Sequence, residues 1–241
     1  MTIYVFILLI AFLAGCLSGI VGTGASIVLL PILTFQFGAQ QAVPIMAIAS
    51  FLANFAKVLS WWREVDWRSF VAFSVAAFPG AALGARTLLI MPAGYAEAAL
   101  GVFFLVLIPW RHWVHRRDIR LPIWALVIAG ALVGFVTGIV LSTGPLSVAT
   151  FAAFGLTKGA LISTEAISSL SMNIGKIATF REFGALPLES IVIGMLIGAA
   201  TMIGAFAGKV VVTRMPAHRF EIIIDALLLI SGVSMLWAGL R

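Results

Sequence analysis

The chain has 241 residues, of which 62% are hydrophobic and 10% charged, and its mean hydropathy is +1.16. The polar surface of a soluble domain cannot cover so much apolar side chain, so the bilayer has to act as solvent. The net charge of +6 does not signal nucleic-acid binding, because the basic residues gather at helix ends and in loops, as the bias of positive charge towards cytoplasmic loops requires.

In chain order, residues 3–20 read as an apolar helix, followed by the break Val21-Gly22-Thr23-Gly24-Ala25-Ser26. A short apolar run covers 27–37 and a third helix 40–62. A polar turn spans 63–68, and 69–90 and 94–110 are further spans. The segment 111–120 holds four arginines and reads as a cytoplasmic linker. The one cysteine, Cys16, excludes an internal disulfide. Leu13-Ala14-Gly15-Cys16 matches a lipoprotein cleavage box, yet no Lys or Arg precedes it as a signal peptide needs. Cys16 therefore reads as a small residue in a packed helix.

Beyond the linker the pattern returns. Spans are expected at 123–140, 157–180, 190–212 and 219–240, with a break from 141 and a short apolar run at 146–154. Ser18-Gly19-Ile20-Val21 recurs as Thr137-Gly138-Ile139-Val140, 119 residues later, and the same offset carries Ser50, Asn54 and Lys57 onto Ser169, Asn173 and Lys176. Gly80 and Gly84 recur as Gly204 and Gly208, and Met91-Pro92-Ala93 with Glu97 as Met215-Pro216-Ala217 with Glu221, at an offset of 124. Self-similarity in so apolar a chain is the signature of a transporter fold with its site between the halves.

The expected fold is an all-α integral membrane protein forming one membrane domain over 1–241. It comprises a repeat at 1–110, the linker 111–120 and a second repeat at 121–241. Residues 3–37 are too many for one straight span of about 20 residues. A broken or re-entrant element near 21–26, and its partner near 141–147, gives about four spans per copy and eight in all, with parallel repeats. Counting the short runs as crossings gives five per copy and inverted repeats. Pairs of small residues four apart, such as Gly15/Gly19, Gly80/Gly84, Gly130/Gly134/Gly138 and Gly204/Gly208, point to close helix packing within the bundle, with a homodimer seam as their second use.

Four groups of residues can carry chemistry. The two breaks put Gly22, Thr23, Gly24 and Ser26, and Ser142, Thr143 and Gly144, just before an apolar run. Free backbone N–H groups, hydroxyls and a helix N-terminus then meet at one spot, which favours an oxyanion. Asn54 with Lys57, and Asn173 with Lys176, share a helix face at a spacing of three, where lysine balances an anion's charge and asparagine donates to it. The plainer reading is that both lysines snorkel to the membrane surface. Glu165 and Asp225 are acids inside spans, present in only one half, and are candidates for coupling transport to a proton or sodium ion. Glu97 and Glu221, near helix starts, read as caps. His112 and His115 lack the Cys or carboxylate partners of a metal site, and no phosphate-binding loop is present, so no cofactor and no enzymatic reaction are expected.

Ser18-Gly19-Ile20-Val21-Gly22-Thr23-Gly24, the Pro31 that follows and Val65-Asp66-Trp67 resemble the sulfite exporter TauE/SafE family, also called the toluene sulfonate uptake permease family. Members of that family commonly carry a further glycine after the break, where this chain has Ala25-Ser26. The resemblance implies transport of sulfur oxyanions such as sulfite, sulfonates or sulfoacetate, coupled to an ion gradient. The residues themselves point to a small anion without naming sulfur. The expectation is a secondary transporter in a bacterial inner membrane, working by alternating access. A passive anion channel and a carboxylate transporter are the alternatives.

Overall fold

Ten α helices occupy the described part of a computed structural model, which covers residues 2–21, 24–115, 121–140, 143–212 and 217–240. They are α1 (Thr2–Val21), α2 (Gly24–Phe37), α3 (Ala39–Trp61), α4 (Trp67–Ile90), α5 (Ala93–His115), α6 (Ile123–Val140), α7 (Gly144–Phe154), α8 (Lys158–Glu182), α9 (Leu188–Val212) and α10 (Ala217–Gly239). Every span expected from the apolar pattern is a helix, and the two short runs, α2 and α7, are helices of their own. Among the described residues, Ala39–Leu59, Trp67–Ile90 and Ile123–Val140 are each long and apolar enough to cross a bilayer.

The large apolar side chains Val75, Leu83, Leu132, Ile203 and Ile230 lie exposed on the outside of the bundle, whereas α8 turns Ser163, Thr164, Glu165, Ser168, Asn173 and Lys176 inward. Apolar outside and polar inside is the arrangement that lipid selects, and the reverse of a soluble bundle. Trp61, Trp62 and Trp67 are exposed beside Arg63 and Arg68 in the turn between α3 and α4. Such amphipathic rings belong at the headgroup level of a membrane. The turn is closed by Asp66, which caps α4 by accepting from the Arg68 and Ser69 amides at 3.1 and 3.3 Å.

Glycine sets how closely the longest helices approach. Gly130, Gly134 and Gly138 of α6 lie against the carbonyls of Phe73, Ala77 and Ala81 of α4, one step of four matched by another. A Cβ at any of the three would collide with the neighbouring backbone, so the seam requires glycine, and the matched steps make α4 and α6 parallel. The same relation recurs elsewhere. Gly15 of α1 lies against the Thr201 carbonyl of α9, and Gly204 lies against the Phe12 carbonyl and the Cys16 amide. Under the two sequence offsets these contacts correspond to Gly134 on Ala77, and to Gly80 on the Ala131 carbonyl and the Phe135 amide.

α7 turns back along α6. Gly155, with φ of 107°, ends α7, and the Leu121 amide before α6 donates to the Ala153 carbonyl at 2.8 Å. At about 1.5 Å per residue α6 is about 27 Å long and α7 about 16 Å, so α7 starts deep within the bundle. α8 then runs parallel to α4. The Asp66 amide donates to Thr164 Oγ1 at 2.9 Å, Ser171 Oγ donates to Ser74 Oγ at 3.2 Å, and the Arg86 guanidinium lies 5.6 Å from the Phe183 ring centre. Since α3 leads into α4 through a tight turn, α3 and α8 cross antiparallel.

Two apolar clusters hold the rest. Leu29, Leu30 and Leu33 of α2 pack among Val43 and Met46 of α3 and Leu100 and Phe104 of α5. Phe73 of α4 meets Phe151 of α7 at 4.9 Å between ring centres, beside Leu126, Val133 and Met172. Glu97 does not cap its own helix. It reaches across from α5 to accept from the Ala39 amide at 3.2 Å, supplying a partner to the start of α3, where Gly38 has no side chain to do so. The Glu221 side chain lies outside the described residues.

Candidate functional site

Where α3 crosses α8, the starts of α2 and α7 meet them and enclose a cavity of about 60 Å³. Ser50 and Asn54 from α3 and Ser169 and Asn173 from α8 line it as pairs 119 residues apart. Met46 and Glu165, also 119 residues apart, do the same. Ala25 and Ser26 open α2 on one side, Thr143 and Gly144 open α7 on the other, and Thr137, Thr201 and Lys176 complete the wall.

The start of α7 is a closed first turn. The Leu146 and Ser147 amides bond back to the Thr143 carbonyl at 2.9 and 3.1 Å, and Pro145 presets the first turn without an amide of its own. The Thr143 hydroxyl is hydrogen-bonded to that of Thr137, so α6 holds the break in place. An 11-residue helix pointing its positive end at a cavity stabilises negative charge there.

The charged groups are distributed unevenly. Lys176 is 1% exposed and lines the cavity, and its ammonium has no hydrogen-bond or ion-pair partner among the described residues. Lys57 sits behind Asn54, donating to its Oδ1 at 2.9 Å, and lies within electrostatic reach of Glu165. The Glu165 carboxylate accepts from Ser169 Oγ at 2.7 Å. Lys176 is buried within the bundle and Lys57 is held by Asn54. Asp225 is half-buried on α10, away from the cavity, and has an interaction of its own.

Of the residues expected from sequence, Ser26, Asn54, Thr143, Gly144, Glu165, Asn173 and Lys176 line this one cavity. Gly24 begins α2, its surroundings lying outside the described residues, and Lys57 stands one layer behind. Gly22, Thr23 and Ser142 lie outside the described residues. Sequence reasoning passed over Ser50, Ser169, Thr137 and Thr201. Ser50 and Ser169 carried the same signal as the asparagines, a polar residue kept at the 119 offset. Thr201, with Ala77 at the 124 offset, carried none.

The model of the family described as Sulfite exporter TauE/SafE matches residues 7–235. The chain belongs to that family. Like other TauE/SafE proteins it is a multi-pass membrane transporter. It is 27% identical over 207 residues to a protein of Sinorhizobium fredii named "Probable membrane transporter protein y4hK", a match covering 81% of this chain and 80% of that protein. No solved structure matches it at a significant level.

Proposed function

We propose that this TauE/SafE protein is a secondary transporter of small anions, sulfur oxyanions or organosulfonates foremost, which it binds in the cavity between α3 and α8. The observation that carries this reading is Lys176. A buried ammonium without a counter-ion costs several kcal/mol unless something neutralises it, and an anion in the cavity is the group in reach. The positive end of α7 and the Asn54 and Asn173 amides supply a dipole and donors around the same space. A volume of about 60 Å³ suits a small oxyanion headgroup and is far below the 300 Å³ or more of sites for larger ligands. Sulfur enters through the family description.

The antiparallel crossing of α3 and α8, together with the parallel α4–α6 and α1–α9 seams, supports two inverted repeats on either side of the linker 111–120 rather than two parallel ones. Each copy would hold a re-entrant pair and three full crossings. This arrangement groups Arg63, Arg68 and the start of α8 at Lys158 at one membrane face, leaving Arg86 and Arg181 near the other. The positive-inside bias then makes the first face cytoplasmic in a bacterial inner membrane. Inverted repeats with half-helices meeting at the midplane support alternating access by rocking of one half against the other. Glu165 is the cavity's own acid and the candidate for coupling to a proton or sodium ion.

Uptake of radiolabelled sulfite or sulfonate into proteoliposomes under an imposed proton or sodium gradient tests this. Accumulation above the external concentration is expected. Flux that only equilibrates the anion would mean a channel, and flux of carboxylates alone would remove the sulfur assignment.

A further inference from the structure

The two halves of the cavity differ at one pair of positions, and that difference sets a rule for the charge of the substrate. Two faithful copies would bring two lysines, Lys57 and Lys176, and no acid, an arrangement suited to a doubly charged anion. In α8, however, Glu165 stands where α3 has Met46, and both side chains line the cavity. Because α3 and α8 cross antiparallel, Glu165 faces the Lys57 half, fixed by the Ser169 hydroxyl at 2.7 Å. Met46 offers Lys176 nothing equivalent.

Resting on the anion-site reading above, we propose that Glu165 acts as a tethered anion for the Lys57 half and thereby restricts the cavity to singly charged anions. Two lysines and one glutamate leave one positive charge to neutralise. A monoanion such as a sulfonate does so. A dianion would leave a net negative charge buried in a cavity too small to admit much screening water, and that state is strongly disfavoured. Glu165 is thus a residue that determines specificity without donating a bond to the substrate.

Methanesulfonate and sulfate are tetrahedral, similar in size and differ by one charge, so they isolate the effect. Binding is measured by calorimetry on the purified protein in detergent at neutral pH. Wild type is expected to bind methanesulfonate at least tenfold more tightly than sulfate. Glu165→Gln should narrow or reverse that ratio by tenfold or more, and Glu165→Asp should restore it. Met46→Glu, which adds a second tethered anion, should weaken methanesulfonate at least tenfold and provides the test should Glu165→Gln fail to fold. An unchanged ratio in folded Glu165→Gln, or unchanged methanesulfonate affinity in Met46→Glu, overturns the charge rule while leaving the anion site standing. Failure of wild type to bind either ion overturns the anion site itself.

Discussion

Lys57 Nζ donates to Asn54 Oδ1 across 2.9 Å, one helical turn along α3. Lys176 and Asn173 have the same spacing in α8, yet neither side chain has a hydrogen bond among the described residues, and both line the cavity. One Asn-Lys pair is satisfied within the protein and the other faces the cavity. The two lysines should therefore respond differently to mutation.

Lys176→Gln is expected to lower anion affinity by about 10- to 100-fold, the worth of a charged hydrogen bond of about 1.5–3 kcal/mol. It should not lower the melting temperature of the empty protein, since it removes a buried charge that has no partner. Lys57→Gln should in addition destabilise the fold, because it takes the ammonium away from Asn54 Oδ1 and Glu165. Calorimetry and thermal unfolding of both variants in detergent separate the two effects.

Glu97→Ala strips the start of α3 of its acceptor and should cost about 1–2 kcal/mol with no change in anion affinity. Glu97→Gln keeps an acceptor oxygen for the Ala39 amide and should come close to wild type. Thermal unfolding of the pair decides whether the contact or the charge matters.

Gly134→Ala places a methyl group against the Ala77 carbonyl, and Gly15→Ala does the same at the Thr201 carbonyl. Each should destabilise by about 1–3 kcal/mol, the usual cost of overpacking. Equal losses in the two variants are expected if the seams are equivalent, and a loss confined to one would show that they are not. Thermal unfolding again provides the measure.

Topology has its own test. In a Cys16→Ser background, Arg63→Cys and Gly155→Cys should react with a membrane-impermeant thiol reagent from one face, and Pro92→Cys and Phe183→Cys from the other. Reaction of Arg63→Cys and Gly155→Cys from opposite faces would contradict inverted halves.

Much of this architecture was legible in the chain. Apolar runs located each helix to within a few residues, because in lipid the length of a run is itself the constraint. The 119-residue offset brought Asn54, Asn173 and Lys176 to notice, and they meet in one cavity. Helix direction was not legible. Nothing in apolar composition tells whether α3 and α8 run together or oppositely, and only contacts such as Asp66 with Thr164 and Phe183 with Arg86 reveal it. Glu97 misled for a similar reason. Its place early in α5 suggested service to that helix, whereas packing delivers it to the start of α3, 58 residues away. Thr201 has no polar counterpart at Ala77, so the repeat could not single it out.

The most direct test of the central claim is ligand-induced thermal stabilisation of wild type and Lys176→Gln, side by side, against sulfite, methanesulfonate, thiosulfate, sulfate and acetate. A small sulfur oxyanion should stabilise wild type in a dose-dependent way, and Lys176→Gln should lose that response while remaining folded. No stabilisation of wild type by any of them, or an equal response in both proteins, would contradict a Lys176-centred anion site.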